Sequence, residues 1–374
     1  MTSKLIDQAH AGIVALHAYE PGKPIAELQR ELGLDAITKL ASNENPLGMA
    51  PAAREVLAHW NGDLSRYPDG NALLLKQELA QRHDIGIERI TLGNGSSDVL
   101  ELVARVFLGP GRNALLSAYS FALYPTVALG VNAEPREVPA LAPASAMPYG
   151  HDLDAFAAHM DAHTSVLFLA SPNNPTGTWL EQAAFEALLA ATPEHVLVVL
   201  DEAYVEYQDP AQRIDSRALL ERYPNLVVMR TFSKIFGMAG LRVGYALSSP
   251  AVADLLNRIR APFNVNELAQ QCAVAAVRDT DFVARSQAGN AAERAALHEA
   301  LQQRGLRCLP SQGNFITFDC AQPSKPLFEA LLHHGVIVRA LAGYGLPQHL
   351  RVTVGTAQEN RIFLTALDQV LAAA

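Results

Sequence analysis

Residues 196–204 read Val-Leu-Val-Val-Leu-Asp-Glu-Ala-Tyr: five apolar residues run without interruption into the carboxylate of Asp201. An apolar run of that length with no polar alternation predicts a strand buried on both faces. The same switch from apolar run to polar motif recurs on either side. Residues 166–170 lead into Ser171-Pro172-Asn173-Asn174-Pro175-Thr176-Gly177, and 226–230 into Thr231-Phe232-Ser233-Lys234. Earlier, 89–92 lead into Gly93-Asn94-Gly95-Ser96-Ser97-Asp98. Runs at 114–117 and 243–247 predict two more strands, and apolar residues at 99, 102, 103 and 106 give 98–107 a helical period. Strands alternating with helices predict an α/β fold, with a mostly parallel central sheet between helical layers. Residues 24–34 read as a short helix, 250–304 as a long helical region, and 313–318, 336–339 and 350–354 as strands of a smaller α+β unit.

In an open parallel sheet, ligands bind beyond the carboxyl ends of the strands. That rule sends the four polar motifs to one crevice. Each has an ordinary reading alone: a glycine-serine loop is often an N-cap, a proline-asparagine stretch a turn, an aspartate a solvated cap. Together they form a set. Gly93 and Gly95 allow close backbone approach, and Ser96, Ser97 and the helix N–H groups after them can cradle a phosphate. Lys234 is one of six lysines and sits in a small, mostly uncharged strand-end context. Asp201 closes an apolar strand, where a carboxylate needs a cationic partner. An anion cradle, an amine, a carboxylate for a ring nitrogen and donors for a phenolate are what pyridoxal phosphate requires. Further on, Leu350, Val352 and Val354 share one strand face, so Arg351 points the other way, available to an anion. Arg339 follows 336–338 and could join it, or form a surface ion pair.

Composition bounds the rest. The chain has 374 residues, 49% hydrophobic and 18% charged, which excludes disorder, collagen-like repeats and coiled coil as its main architecture. Its length predicts two domains, or one large domain with an appendage. The formal charge is −9, from 29 basic and 38 acidic residues, with no basic cluster to mark a nucleic-acid partner. Three cysteines, Cys272, Cys308 and Cys320, form no C-x-x-C pair and are expected as core residues in a reducing cytoplasm. The apolar stretch 11–16 is too short for a secretory signal, and no run reaches the roughly 18 residues of a membrane helix. His159 and His163 have i, i+4 spacing on an expected helix but no third ligand nearby, so no metal is expected.

Asn174-Pro175-Thr176-Gly177, Asp201-Glu202-Ala203-Tyr204, Ser233-Lys234 and Gly240-Leu241-Arg242-Val243-Gly244-Tyr245 resemble the signature of fold-type I, pyridoxal-phosphate-dependent aminotransferases in order and spacing. Within that family, Tyr19-Glu20-Pro21-Gly22-Lys23, Ala41-Ser42-Asn43-Glu44-Asn45-Pro46, Arg66-Tyr67-Pro68, Gly313-Asn314-Phe315 and 350–356 are similar to the branch that acts on histidinol phosphate. The resemblance implies roles. Lys234 would hold pyridoxal 5'-phosphate and shuttle a proton, Asp201 would keep its pyridine nitrogen protonated, and Tyr204 and Asn174 would bond the phenolate. Gly95, Ser96, Ser97, Ser233 and Arg242 would bind the phosphate, and Phe121 would stack on the ring, where many relatives have Tyr. Ser97 stands where relatives often carry a carboxylate. Tyr67 would reach the neighbour's cofactor phosphate across a homodimer interface. Tyr19, Asn45, Arg339 and Arg351 would bind substrate. The resemblance further implies a large cofactor-binding domain over 41–262, with an N-terminal arm and a small domain from 1–40 and 263–374. The expected reaction is transfer of the amino group of L-histidinol phosphate to 2-oxoglutarate, in histidine biosynthesis. Two other reactions on the same fold remain open: aromatic amino-acid transamination and decarboxylation of an amino-acid phosphate.

Overall fold

A computed structural model describes residues 6–16 and 23–373 of the chain. Its strands begin with β1 (Thr38–Lys39), followed by β2 (Ile90–Gly93), β3 (Asn113–Ser117), β4 (Glu134–Val138), β5 (Thr164–Ala170), β6 (Leu197–Asp201), β7 (Leu226–Thr231) and β8 (Gly244–Leu247). The remainder are β9 (Arg307–Cys308), β10 (Phe315–Asp319), β11 (Val336–Ile337), β12 (Arg339–Ala340) and β13 (His349–Thr353).

Seven of them form one sheet in the order β2-β8-β7-β6-β5-β3-β4. All pairings are parallel except those of β8, which is antiparallel to both β2 and β7. Side chains on the central strands alternate between two buried clusters. On β6, Val198 and Leu200 enter one while Leu197 and Val199 enter the other; on β5, Leu167 and Leu169 oppose Val166 and Phe168. That alternation explains the unbroken apolar runs, since neither face meets water. Helices Pro51–His59, Leu73–His83, Gln182–Ala191, Ser216–Arg222 and Glu267–Arg278 cover one face. Helices Ser96–Phe107, Leu123–Gly130 and Pro250–Ile259 cover the other.

A second sheet of four antiparallel strands, β12-β13-β10-β9, packs with the latter part of helix Thr280–Gln303 and with helices Ser324–His333 and Ala357–Ala373 around a third core. The chain changes sheets at Val338: β11 pairs in parallel with β1, whereas β12 pairs with β13. The expected strand 336–339 is therefore two short strands, and the switch sets Arg339 opposite Arg351.

The helical region 250–304 divides into three helices. Val265, Ala269, Cys272, Ala273, Ala276, Val277 and Phe282 belong to the core of the seven-stranded sheet, whereas Leu297 and Leu301 belong to that of the small one. We propose that the large domain extends beyond the expected 262 into the first turns of helix Thr280–Gln303. Helix Leu153–His159 ends at His159, so His159 and His163 do not share the helix face expected of them. Their Nδ1 atoms lie 2.7 Å from the Ala155 carbonyl and 3.1 Å from that of Gly111.

Candidate active site

A cavity of about 250 Å³ opens at the carboxyl ends of the parallel strands. Its floor is built by the sheet: β6 delivers Asp201, the segment after β5 delivers Asn174, and the segment after β7 delivers Ser233 and Lys234. Ser96 and Ser97 open helix Ser96–Phe107 directly after β2, with its unsatisfied N–H groups at the same end. Arg339, Tyr344 and Arg351 line the side contributed by the small unit.

Asp201 is 6% exposed. Its Oδ1 accepts from the Ala203 N–H at 3.0 Å and its Oδ2 from the Tyr124 hydroxyl at 2.9 Å. Burial pushes this carboxyl up, against the pull of those two donors and of the Lys234 ammonium. The Lys234 ammonium donates to the Ser42 carbonyl at 3.0 Å and lies 5.5 Å from the centre of the Tyr204 ring. Tyr204 is buried, which raises its phenol; Arg351 and the Asn43 amide, 3.0 Å from the hydroxyl, act the other way.

The geometry of the loop before helix Ser96–Phe107 depends on two glycines. Gly95 has φ +82°, and a Cβ there would lie 2.4 Å from the Arg242 Nη2. A Cβ on Gly244 would lie 2.4 Å from the backbone nitrogen of Ser96. The absence of side chains thus lets β8 press against the helix N-terminus and lets the Arg242 guanidinium approach the loop. Arg242 itself sits in the left-handed region at φ +57° and donates to the Ser233 hydroxyl at 3.5 Å and the Ala239 carbonyl at 3.1 Å.

On the other wall, Arg351 is 5% exposed. It donates to the Asn174 side-chain oxygen and, at 2.8 Å, to the Ala41 carbonyl, and stands 5.3 Å over the Phe315 ring.

The cavity therefore gathers Ser96, Ser97, Phe121, Asn174, Asp201, Tyr204, Ser233, Lys234, Arg242, Arg339 and Arg351. Gly95 shapes it from behind. Two expected residues are elsewhere. Asn45 is buried outside the lining, its amide donating to the Ile235 carbonyl at 2.7 Å and the Ser286 hydroxyl at 3.2 Å, and its Oδ1 accepting from the Leu47 N–H. Asn43, two residues earlier, takes the place on the cavity wall. Tyr67 is 82% exposed and stacks on Phe263 at 4.5 Å, away from the cavity of its own chain. Tyr19 lies outside the described residues. Tyr124 and Tyr344 were not anticipated; each sits in a segment whose sequence carries no polar motif.

These groups suit pyridoxal phosphate. Asp201 is a buried carboxylate that a cationic ring nitrogen would hold ionised. The N-terminus with its serines and Arg242 supplies anion donors at one end. Lys234, lining the same cavity, would supply the amine. Fold and donor set define a pyridoxal-phosphate-dependent aminotransferase of fold type I.

Residues 35–367 match the family described as aminotransferase class I and II. Histidinol-phosphate aminotransferase 2 of Pseudomonas aeruginosa is 52% identical over 99% of both chains, and histidinol-phosphate aminotransferase 1 of Mannheimia succiniciproducens is 47% identical over 98% of both. The crystal structure of histidinol-phosphate aminotransferase from Sinorhizobium meliloti, in complex with pyridoxal-5'-phosphate, superposes with a TM-score of 0.87 at 26% identity over 98% of both chains. The chain belongs to the histidinol-phosphate aminotransferases of the class I and II family.

Proposed function

We propose that this enzyme exchanges the amino group of L-histidinol phosphate with 2-oxoglutarate, giving imidazole-acetol phosphate and L-glutamate in histidine biosynthesis. The observation that carries the reading is one cavity with anion donors at both ends. Ser96, Ser97, Ser233 and Arg242 line one end, and Arg339 and Arg351 the other, with Lys234 and Asp201 also on its walls.

Bound pyridoxal phosphate supplies an electron-accepting ring conjugated to the carbon that carries the transferred amine. Lys234 Nζ would tether the cofactor through its aldehyde. When not engaged with the cofactor, the same nitrogen would be the base that moves the substrate's Cα proton. Asp201 holds the ring nitrogen protonated, and Tyr204 and Asn174 orient the ring by donating to its phenolate. Phe121 fixes the ring plane. Arg351 and Arg339 bind the substrate anion, a phosphate in one half-reaction and carboxylates in the other, with bidentate geometry suited to both. With Arg351 5% exposed and Asp201 6%, little water reaches these charges, which strengthens them.

We further propose a homodimer in the cytoplasm. Tyr67 and Phe263 form an exposed aromatic stack, with Leu64, Leu73 and Leu74 also exposed nearby in sequence. An apolar group of that kind fits an interface between copies, from which Tyr67 would reach the neighbour's cofactor phosphate. The three cysteines are free, as a reducing compartment would keep them. Among the described residues no helix is long and apolar enough to cross a membrane.

The test is single-turnover spectroscopy with histidinol phosphate, phenylalanine, aspartate and glutamate, alongside assay for carbon dioxide. Histidinol phosphate and glutamate should react fastest, with no carbon dioxide formed. Faster reaction of phenylalanine would assign the enzyme to aromatic amino acids, and release of carbon dioxide without an oxo acid to decarboxylation. Borohydride reduction and peptide mapping should place the cofactor on Lys234; a label on another lysine would overturn the assignment.

A further inference from the structure

Tyr124 lies in the first turn of helix Leu123–Gly130, on the face of the sheet opposite helices Pro51–His59 and Leu73–His83. It is fully buried, yet it lines the cavity. Three contacts fix it. Its ring stacks on Phe168 of β5, centroids 5.0 Å apart and planes 9° from parallel. Its edge meets Phe121 at 5.8 Å and 86°. Its hydroxyl donates to Asp201 Oδ2 at 2.9 Å. Tyr124 therefore touches both the carboxylate assigned to the cofactor's ring nitrogen and the aromatic assigned to its ring face.

A phenol whose ring serves only as core filling needs no partner beyond any hydrogen bond that satisfies its hydroxyl. Here the partner is the one carboxylate whose position decides the chemistry. With the Ala203 N–H on Oδ1, the Tyr124 hydroxyl leaves each oxygen with one donor and so fixes the rotation of the carboxylate plane. The stacking on Phe168 fixes the hydroxyl in turn, because β5 and β6 are adjacent in the sheet.

We propose that Tyr124 is a positioning residue for catalysis: it holds the Asp201 carboxylate, and through its ring edge Phe121, in the arrangement that receives the cofactor ring. The inference rests on the roles assigned above to Asp201 and Phe121. It predicts that the hydroxyl acts through Asp201, so its removal costs little once Asp201 no longer carries a carboxylate.

The experiment is a double-mutant cycle of Tyr124→Phe and Asp201→Asn on the full-length holoenzyme. Two quantities are read: the dissociation constant of pyridoxal phosphate, titrated by absorbance after resolution of the cofactor, and kcat and KM for glutamate. Tyr124→Phe should weaken the cofactor and lower kcat by about tenfold each, the scale of one hydrogen bond to a charged group, with KM for glutamate little changed. In the Asp201→Asn background the same change should alter both quantities less than twofold. Equal effects in the two backgrounds would overturn the proposal and leave Tyr124 a core residue. An unperturbed Asp201→Asn protein would instead overturn the role of Asp201. Should Tyr124→Phe fail to fold, Tyr124→His keeps a ring donor. Its cofactor affinity should then fall between those of the parent and Asp201→Asn; affinity no better than Asp201→Asn would count against the proposal.

Discussion

Asp201 and Lys234 both line the cavity, and Asp201 is held where burial makes its charge costly. Asp201→Asn should retain the fold and bind pyridoxal phosphate weakly, while losing transamination by at least a hundredfold, since a neutral amide cannot hold the ring nitrogen protonated. A rate within a few-fold of the parent would remove Asp201 from the mechanism. Two buried histidines titrate in a way that stability measurements can follow. Burial lowers the His83 imidazole to about 2, with Arg230 and Arg82 adding to the effect, and lowers His151 to about 4. In the unfolded chain each titrates near about 6.5. Above that pH neither contributes. As the pH falls below it, the unfolded chain takes up protons that the folded one refuses, so stability is lost progressively, down to about pH 4 for His151 and on toward about pH 2 for His83. His83→Gln should therefore lose less stability between pH 7 and 5 than the parent, measured as urea midpoints at each pH. An equal or steeper loss would contradict the buried neutral imidazole. Lys234, Asp201 and Asn174 could be read from the sequence because each lies in a polar motif that follows an apolar run. Tyr124 could not, because a tyrosine in an apolar helix looks like core, and its hydroxyl partner lies 77 residues away. Asn45 drew attention through the motif around it, yet its amide is consumed by local carbonyl and hydroxyl contacts, while Asn43 faces the cavity.

At the scale of elements, the fit of β8 against helix Ser96–Phe107 decides how the anion cradle is shaped. Gly244→Ala would set a Cβ within 2.4 Å of Ser96 N and 2.7 Å of Gly95 C, both backbone atoms that cannot swing aside. We expect it to weaken pyridoxal phosphate by tenfold or more and to cost about 1–3 kcal/mol of stability, the usual penalty for overpacking. Gly240→Ala, with open space around the added carbon, is the control and should leave both unchanged. Cofactor titration and urea unfolding read the two effects separately. The parallel strands were legible because burial on both faces forces unbroken apolar runs. β4 was not: its sequence Glu-Pro-Arg-Glu-Val lies at the sheet edge, half open to water, and carries no such pattern. Nor does any local signal tell that β8 runs against its neighbours, since direction is set by where the chain re-enters the sheet. Helix Glu267–Arg278 shows the same limit, because its apolar face fits either core and only tertiary packing assigns it to the larger one.

For the whole molecule, the proposed dimer makes each active site the product of two chains. Mixing Tyr67→Phe with Lys234→Ala chains after reversible dissociation tests this. If Tyr67 serves the partner's cofactor, each mixed dimer contains one site with both defects and one with neither, and activity should exceed that of either parent. If Tyr67 serves its own chain, activity should equal the parental average. The pairing of β1 with β11 and of β2 with β8 bears on a different matter, the order in which the molecule can come into being on the ribosome. β2 emerges early, yet its sheet neighbour β8 follows roughly 150 residues later, and β1 waits far longer for β11. At about 5–20 residues per second, β2 stays without its partner for roughly 8–30 seconds. During that interval its apolar residues Ile90 and Leu92 have no strand to lie beside. The fold thus demands a long open period for that one strand, whereas β3, β4 and β5 find one another within a short stretch of chain, and chaperones that shield nascent apolar segments would act on residues 90–93 before any other part of the sheet.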